Sequence, residues 1–195
     1  VKITPLELPG AFEVRPSPYS DDRGSFLEWY RGDQLATHLG FTPRWVQANT
    51  SASRAGVIRG IHVTTIPPGQ AKYVTCVRGA VFDVLVDMRV GSPTFGHWSG
   101  TLLDDIERKA LYVGEGLGHG LCAMTDDATV TYLCSELFDA STERAMTPLD
   151  PQVAIAWPVP SPKLSEKDTN AASLAELAAD GVLPRWEDYL ALRRG

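Results

Sequence analysis

From about residue 10 to residue 160 the chain is a succession of short apolar runs, each stopped by Gly, Pro or Asp. The stops fall at Gly24, Gly40, Pro67-Pro68-Gly69, Gly79, Gly91-Ser92-Pro93, Gly114 to Gly118 and Asp126-Asp127. A strand crosses a domain in about six residues, so this rhythm is that of an all-β protein. Strands are expected at 11–16, 25–30, 45–51, 57–63, 71–78, 80–87, 95–103, 109–113, 120–124, 129–137 and 154–157. So many short strands suggest a sandwich or a jelly-roll barrel, with an up-and-down barrel as the alternative. In Val-Phe-Asp-Val-Leu-Val-Asp, Asp83 and Asp87 stand four apart and share one face, which is therefore not wholly apolar.

Helix signals are few. Residues 32–39 suggest a short helix, and Ser173 with Glu176 three residues on and Gly181 after them suggests a second. Residues 184–194 read as a last short helix offering Trp186, Tyr189, Leu190 and Leu192 for docking, while 158–168 is too rich in proline for regular structure. A single domain, 1–195, is expected, with a barrel over about 10–157 and a tail with short helices over about 158–195. At 44% hydrophobic residues the chain can bury a core without disulfides, and Cys76, Cys122 and Cys134 are expected as buried thiols in a reducing cytoplasm. The net charge of −6 argues against a nucleic-acid-coating surface. No apolar run approaches the ~20 residues of a membrane span, and residues 1–10 lack the pattern of a signal peptide.

Certain polar residues stand out. Arg59-Gly60-Ile61-His62-Val63 begins as an apolar strand yet carries an arginine and a histidine. Alternation would place Arg59, Ile61 and Val63 on one face and Gly60 with His62 on the other, Gly60 leaving room for a ligand or another backbone. A histidine so placed reads equally well as a buried ring donating to a carbonyl. Lys72 heads a strand after Pro67-Pro68-Gly69, where a solvated lysine is the commoner case. Gly118-His119-Gly120 suggests a tight loop open to a ligand, though a water-facing histidine is the default. Tyr132 lies in an alternating run and reads by itself as a core tyrosine. No metal or other cofactor is expected: His38, His62, His97 and His119 form no His-x-His or HxxxH pair, and no CxxC accompanies them. GxGxxG, P-loop and GxSxG motifs are also missing from the sequence.

Taken in order, several segments carry a resemblance. They include Asp22-Arg23-Gly24-Ser25-Phe26-Leu27-Glu28, Gln47-Ala48-Asn49, Val57-Ile58-Arg59-Gly60-Ile61-His62, Pro67-Pro68-Gly69-Gln70-Ala71-Lys72, Glu115-Gly116-Leu117-Gly118-His119-Gly120 and Leu164-Ser165-Glu166-Lys167-Asp168. The chain resembles the dTDP-4-dehydrorhamnose 3,5-epimerase family over almost its whole length. The resemblance implies a cupin-type jelly-roll barrel acting on a dTDP-4-keto-6-deoxyhexose at C3, C5 or both, in deoxysugar biosynthesis of the antibiotic type. It implies His62 as base with Asp168 as its partner, Lys72 on the enolate and Tyr132 as acid, with Asp83 near the base. It further implies Arg23, Arg59 and His119 as phosphate contacts, and Phe26, Glu28, Gln47 and Asn49 as nucleotide contacts. A homodimer exchanging an N-terminal segment follows from the same resemblance.

Three positions depart from the family pattern: Val63, Leu133 and Phe138 replace more polar or aromatic residues, and each is expected near the sugar pocket. Two rivals stand beside the epimerase reading, a dTDP-sugar 3,4-ketoisomerase and a non-catalytic dTDP-sugar-binding cupin. If Asp168 serves the site from an irregular tail, a chain ending before Leu164 should lose turnover more than binding.

Overall fold

The structure is a computed structural model that describes residues 1–194. In chain order the strands are β1 (Lys2–Pro5), β2 (Ala11–Arg15), β3 (Tyr19–Asp21), β4 (Gly24–Phe26), β5 (Gln47–Ser53), β6 (Ile58–Thr64) and β7 (Lys72–Arg78). They continue with β8 (Ala80–Asp87), β9 (Trp98–Asp104), β10 (Ala110–Val113), β11 (Leu117–Ala123), β12 (Ala128–Cys134) and β13 (Glu143–Ala145). Among the described residues there are four short helices, α1 (Gly32–Leu39), α2 (Glu166–Thr169), α3 (Leu174–Ala179) and α4 (Trp186–Leu192).

The strands form two antiparallel sheets that face one another. The large sheet runs β1-β2-β10-β7-β12-β5 and the small one β13-β6-β11-β8-β9, with β3 and β4 a separate hairpin. This is a jelly-roll barrel of the cupin type. Val74, Cys76, Leu85, Leu111, Leu121 and Val130, drawn from both sheets, pack between them. The outer faces are covered as well. Ile61, Val63, Val84 and Val86 on the small sheet pack under Leu174, Leu177 and Leu183 of the C-terminal segment. Tyr73 and Tyr112 on the large sheet pack with Leu35 of α1 and the partly buried Trp29 and Trp45. Burial on both faces is why β8 reads as an apolar run broken only by Asp83 and closed by Asp87.

Several expectations change. Residues 154–157 are not a strand, and the run over 25–30 shortens to β4; β1, β3 and β13 are too short to show a period and lie outside the expected strands. Within the proline-rich 158–168 segment, Ser165 caps α2 by accepting the Asp168 N–H. Gly118-His119-Gly120 is strand, not loop. Its glycines permit close packing: a Cβ at Gly118 would lie 2.4 Å from Met88 Sδ, and one at Gly120 2.5 Å from Ile61 Cδ1. Nor is the tail separable, because α3 covers the outer face of the small sheet and Tyr189 of α4 lies against buried Arg89. Truncation before Leu164 would therefore uncover core and report on folding rather than on Asp168.

The largest correction concerns β6. Its pairing with β11 shifts register, His119 facing His62 while Leu121 faces Arg59, so β6 carries one extra residue. The bulge reverses the alternation and puts Arg59 and His62 on the same face. It occurs at Gly60, where φ is +103° and a Cβ would lie 2.5 Å from the His119 carbonyl oxygen and 2.7 Å from Gly120 Cα. The room beside Gly60 is taken by backbone. Gly60→Ala should therefore cost ~2–4 kcal/mol, combining an unfavourable φ with a clash that neither backbone can relieve cheaply. Denaturant unfolding would show it, and stability unchanged within 0.5 kcal/mol, about the scatter of neutral surface changes, would refute the role of the close approach.

Candidate active site

Six of the expected residues line one cavity of about 380 Å³: Arg59, His62, Lys72, His119, Tyr132 and Asp168. Each arrives by a definite structural route. β6 supplies Arg59 and His62, and β11 presents His119 directly opposite His62. From the facing sheet, β7 supplies Lys72 and β12 supplies Tyr132, with Cys134 opposite Lys72 in the pairing. Asp168 comes from α2.

His62 Nε2 lies 2.8 Å from Asp168 Oδ1. Asp168 is 3% exposed, and its Oδ2 accepts the Ser165 hydroxyl at 2.8 Å, so the carboxylate is fixed on both oxygens. With Nε2–H donating to that carboxylate, the ring is the tautomer whose lone pair is on Nδ1. Burial pushes the His62 pKa below its ordinary value, and the Asp168 hydrogen bond opposes the shift. Burial likewise lowers the Lys72 ammonium and raises the Tyr132 phenol. A neutral imidazole and a protonated phenol are thus both favoured.

A second carboxylate–imidazole pair stands beside the first. His119 Nε2 is 3.0 and 2.9 Å from the two oxygens of Asp83, whose side chain is inaccessible to solvent. Asp83 reaches His119 because Leu121 and Asp83 are paired across β11 and β8, two residues along the same inner face. At the edge of the site, Glu143 of β13 pairs with Lys167, the residue before Asp168. Arg59 is held by neutral partners, Nε donating to Ser53 Oγ at 2.9 Å and Nη2 to the Ala52 carbonyl at 3.3 Å.

The remaining candidates lie outside this cavity. Gln47 and Asn49 share the face of Tyr132 and bond to each other at 3.0 Å, and Gln47 Oε1 accepts the Phe138 N–H at 2.9 Å. Phe138 itself is 60% exposed in the segment after β12. Arg23 and Phe26 belong to the exposed β3–β4 hairpin, with Arg23 paired to Asp21, and Glu28 pairs with Arg31. Val63 and Leu133 do not adjoin the cavity, contrary to expectation. Val63 packs on the outer face of the small sheet, and Leu133 on that of the large one beside Tyr73. Lys163, Leu164 and Ser165 line the cavity without having been singled out. The spacing Ser165-x-x-Asp168 is a helix N-cap pattern that would have marked Ser165; Lys163 carried no such signal.

The sequence matches the family described as dTDP-4-dehydrorhamnose 3,5-epimerase over residues 5–176. The chain belongs to that family. A dTDP-4-dehydrorhamnose 3-epimerase of Streptomyces niveus is 53% identical over 186 residues, 95% of this chain and 90% of that one. The dTDP-4-dehydrorhamnose 3,5-epimerase of Mycobacterium tuberculosis H37Rv is 46% identical over 190 residues, 96% and 94% of the two chains. Among solved structures, a 3'-monoepimerase from Streptomyces bikiniensis in complex with dTDP-quinovose superposes with a TM-score of 0.94 at 43% identity, covering 97% and 96%. The family is one of isomerases, and its barrel is the fold found here.

In this epimerase-family chain, imidazole NMR should give His62 a midpoint below the ordinary ~6.5. Asp168→Asn should move it lower still, since the carboxylate that opposes desolvation is gone. An unchanged or higher midpoint in the variant would contradict this account of the pair.

Proposed function

We propose that the chain epimerises a dTDP-4-keto-6-deoxyhexose, inverting C3 by removing a proton beside the C4 ketone and returning one to the opposite face. The observation that carries this is the placement of His62 and Tyr132 on facing sheets across one cavity, with Lys72 beside Tyr132. Epimerisation needs a base and an acid on opposite faces of a carbon, whereas binding alone needs neither. C3 is the position common to the names of the 3-epimerase and 3,5-epimerase relatives.

In this reading His62 Nδ1 takes the C3 proton, and the C–H electron pair moves onto the ketone to form an enolate. The Lys72 ammonium holds the enolate oxygen. Tyr132 then delivers its proton to the other face of C3 as the ketone reforms. Asp168 keeps the ring in the reactive tautomer and stabilises the imidazolium. Arg59 and His119, the latter steadied by Asp83, take the diphosphate. Gln47, Asn49 and Phe138 are assigned to the nucleotide.

Arg23, Phe26 and Glu28 fit this scheme if the chain forms a homodimer in which the β3–β4 hairpin enters the second copy's site. The hairpin supports it: Tyr19 and Phe26 are each 67% exposed, and between them stands Arg23. Sedimentation should then give the mass of two chains, and mixing Arg23→Ala with His62→Ala chains should restore turnover, since mixed dimers keep one intact site. A monomer in sedimentation, or no restoration, would overturn the exchange.

The chemistry is tested by proton NMR of dTDP-4-keto-6-deoxyglucose with the protein in deuterium oxide. Deuterium should enter C3 with inversion, and entry at C5 as well would make the chain a 3,5-epimerase. Lys72→Met should slow turnover by about 100-fold, the loss of one enolate donor. Tyr132→Phe should slow inversion by ~10²–10⁴-fold while leaving exchange without inversion, because the base still operates. No deuterium at either carbon despite dTDP binding would leave a binding protein, and migration of the ketone to C3 would identify a ketoisomerase.

A further inference from the structure

Lys163 lines the cavity but has no part in the scheme above. Its backbone is tightly placed. The Lys163 N–H donates to the Gly56 carbonyl at 2.8 Å, and the Lys163 carbonyl accepts the Ile58 N–H at 2.9 Å. Together they form a parallel bridge to Val57, which fastens the C-terminal segment beside the start of β6. The residue is therefore held at a fixed point although its side chain is exposed.

Two cations stand together at this end of the cavity, Arg59 and Lys163 both lining it. Among the described residues, neither Lys163 nor Arg59 has a carboxylate within 4.0 Å, in a chain whose net charge is −6. The acidic groups of the cavity, Asp168 and Asp83, are engaged by His62 and His119 and leave these two cations unpaired. Because the bulge spends one of the three steps, Arg59 lies roughly 7 Å along β6 from His62 at about 3.3 Å per residue, and Val57 farther in the same direction. A hexose with C3 at His62 and its anomeric oxygen leading that way would bring its two phosphates between these cations.

We propose that Lys163 is a further cationic contact, beside Arg59, for the diphosphate of the nucleotide sugar. This rests on the dTDP-sugar reading. Lysine suits the task as a mobile point charge that follows the phosphates, while Arg59 is held by Ser53 and Ala52. The contact is made equally in ground state and transition state, so it acts on KM and leaves kcat alone.

Calorimetry with dTDP tests it. Lys163→Met should weaken dTDP binding about tenfold, the low end for a lost hydrogen bond to a charged group, as suits an exposed lysine. Lys163→Glu should weaken it further, and Lys163→Arg should return it to within about twofold of the unaltered chain. For the keto sugar, KM in Lys163→Met should rise in parallel with the loss of dTDP affinity, while kcat stays within about twofold of the unaltered chain. Unaltered protein that binds dTDP while Lys163→Met and Lys163→Glu bind it equally well would overturn the role of Lys163 alone. Failure of the unaltered protein to bind dTDP would overturn the functional reading and this contact with it.

Discussion

The close approach of β6 and β11 governs the cavity. Three glycines, Gly60, Gly118 and Gly120, let the two backbones meet where any Cβ would collide with a carbonyl, a methionine or an isoleucine. The bulge at Gly60 then spends one residue without advancing the pairing. Without it, Arg59 and His62, three apart, would point to opposite faces. With it, a guanidinium and an imidazole enter the same cavity, and His119 faces His62 across the strand pair. The glycines here are determinants of chemistry as much as of turns.

Carboxylates complete what the glycines begin. The inner faces of the sheets hold Asp83 and Asp87, and the tail adds Asp168; all three are almost wholly buried. A buried carboxylate is tolerated only when its oxygens are satisfied. Asp87 achieves this with Arg89, Ser92 and Thr94, and Arg89 in turn lies against Trp186 and Tyr189, so this cluster helps dock α4. Burial pushes the Asp87 carboxyl up, yet the Arg89 pairing prevails and holds it below the ordinary range. Asp83 and Asp168 use histidines instead. The same desolvation problem is solved structurally at one end of the sheet and in a form suited to proton transfer at the other.

Much of this was legible in the sequence. The strand rhythm, the pairing of Asp83 and Asp87 on one face, and the Ser173–Glu176 capping box each depend on spacing within one element, and each is present. What escaped depends on contacts between elements. A bulge cannot be seen in Arg59-Gly60-Ile61-His62, because its cause is the neighbouring backbone of His119 and Gly120. Gly118 and Gly120 carry the composition of a turn, and only Met88 and Ile61 pressing on them show why a strand needs them. Lys163 lies in a proline-rich stretch with no periodicity, and only its bridge to Val57 brings it to the cavity.

The orientation of Val63 and Leu133 changes where a choice between one epimerised centre and two could be made. Both pack on outer faces, separated from the cavity by their own strands. Phe138 is different, since its backbone is tied to Gln47 and through it to Asn49, on the face shared with Tyr132. A sugar inverted at both C3 and C5 must present two carbons in turn to one imidazole, and its freedom to turn is limited by how its nucleotide end is held. Control over that second presentation therefore belongs with the groups that grip the diphosphate and base, well away from His62. In the proposed reading those are Phe138, the amides of β5 and Arg59, none of which bonds to His62 or Asp168.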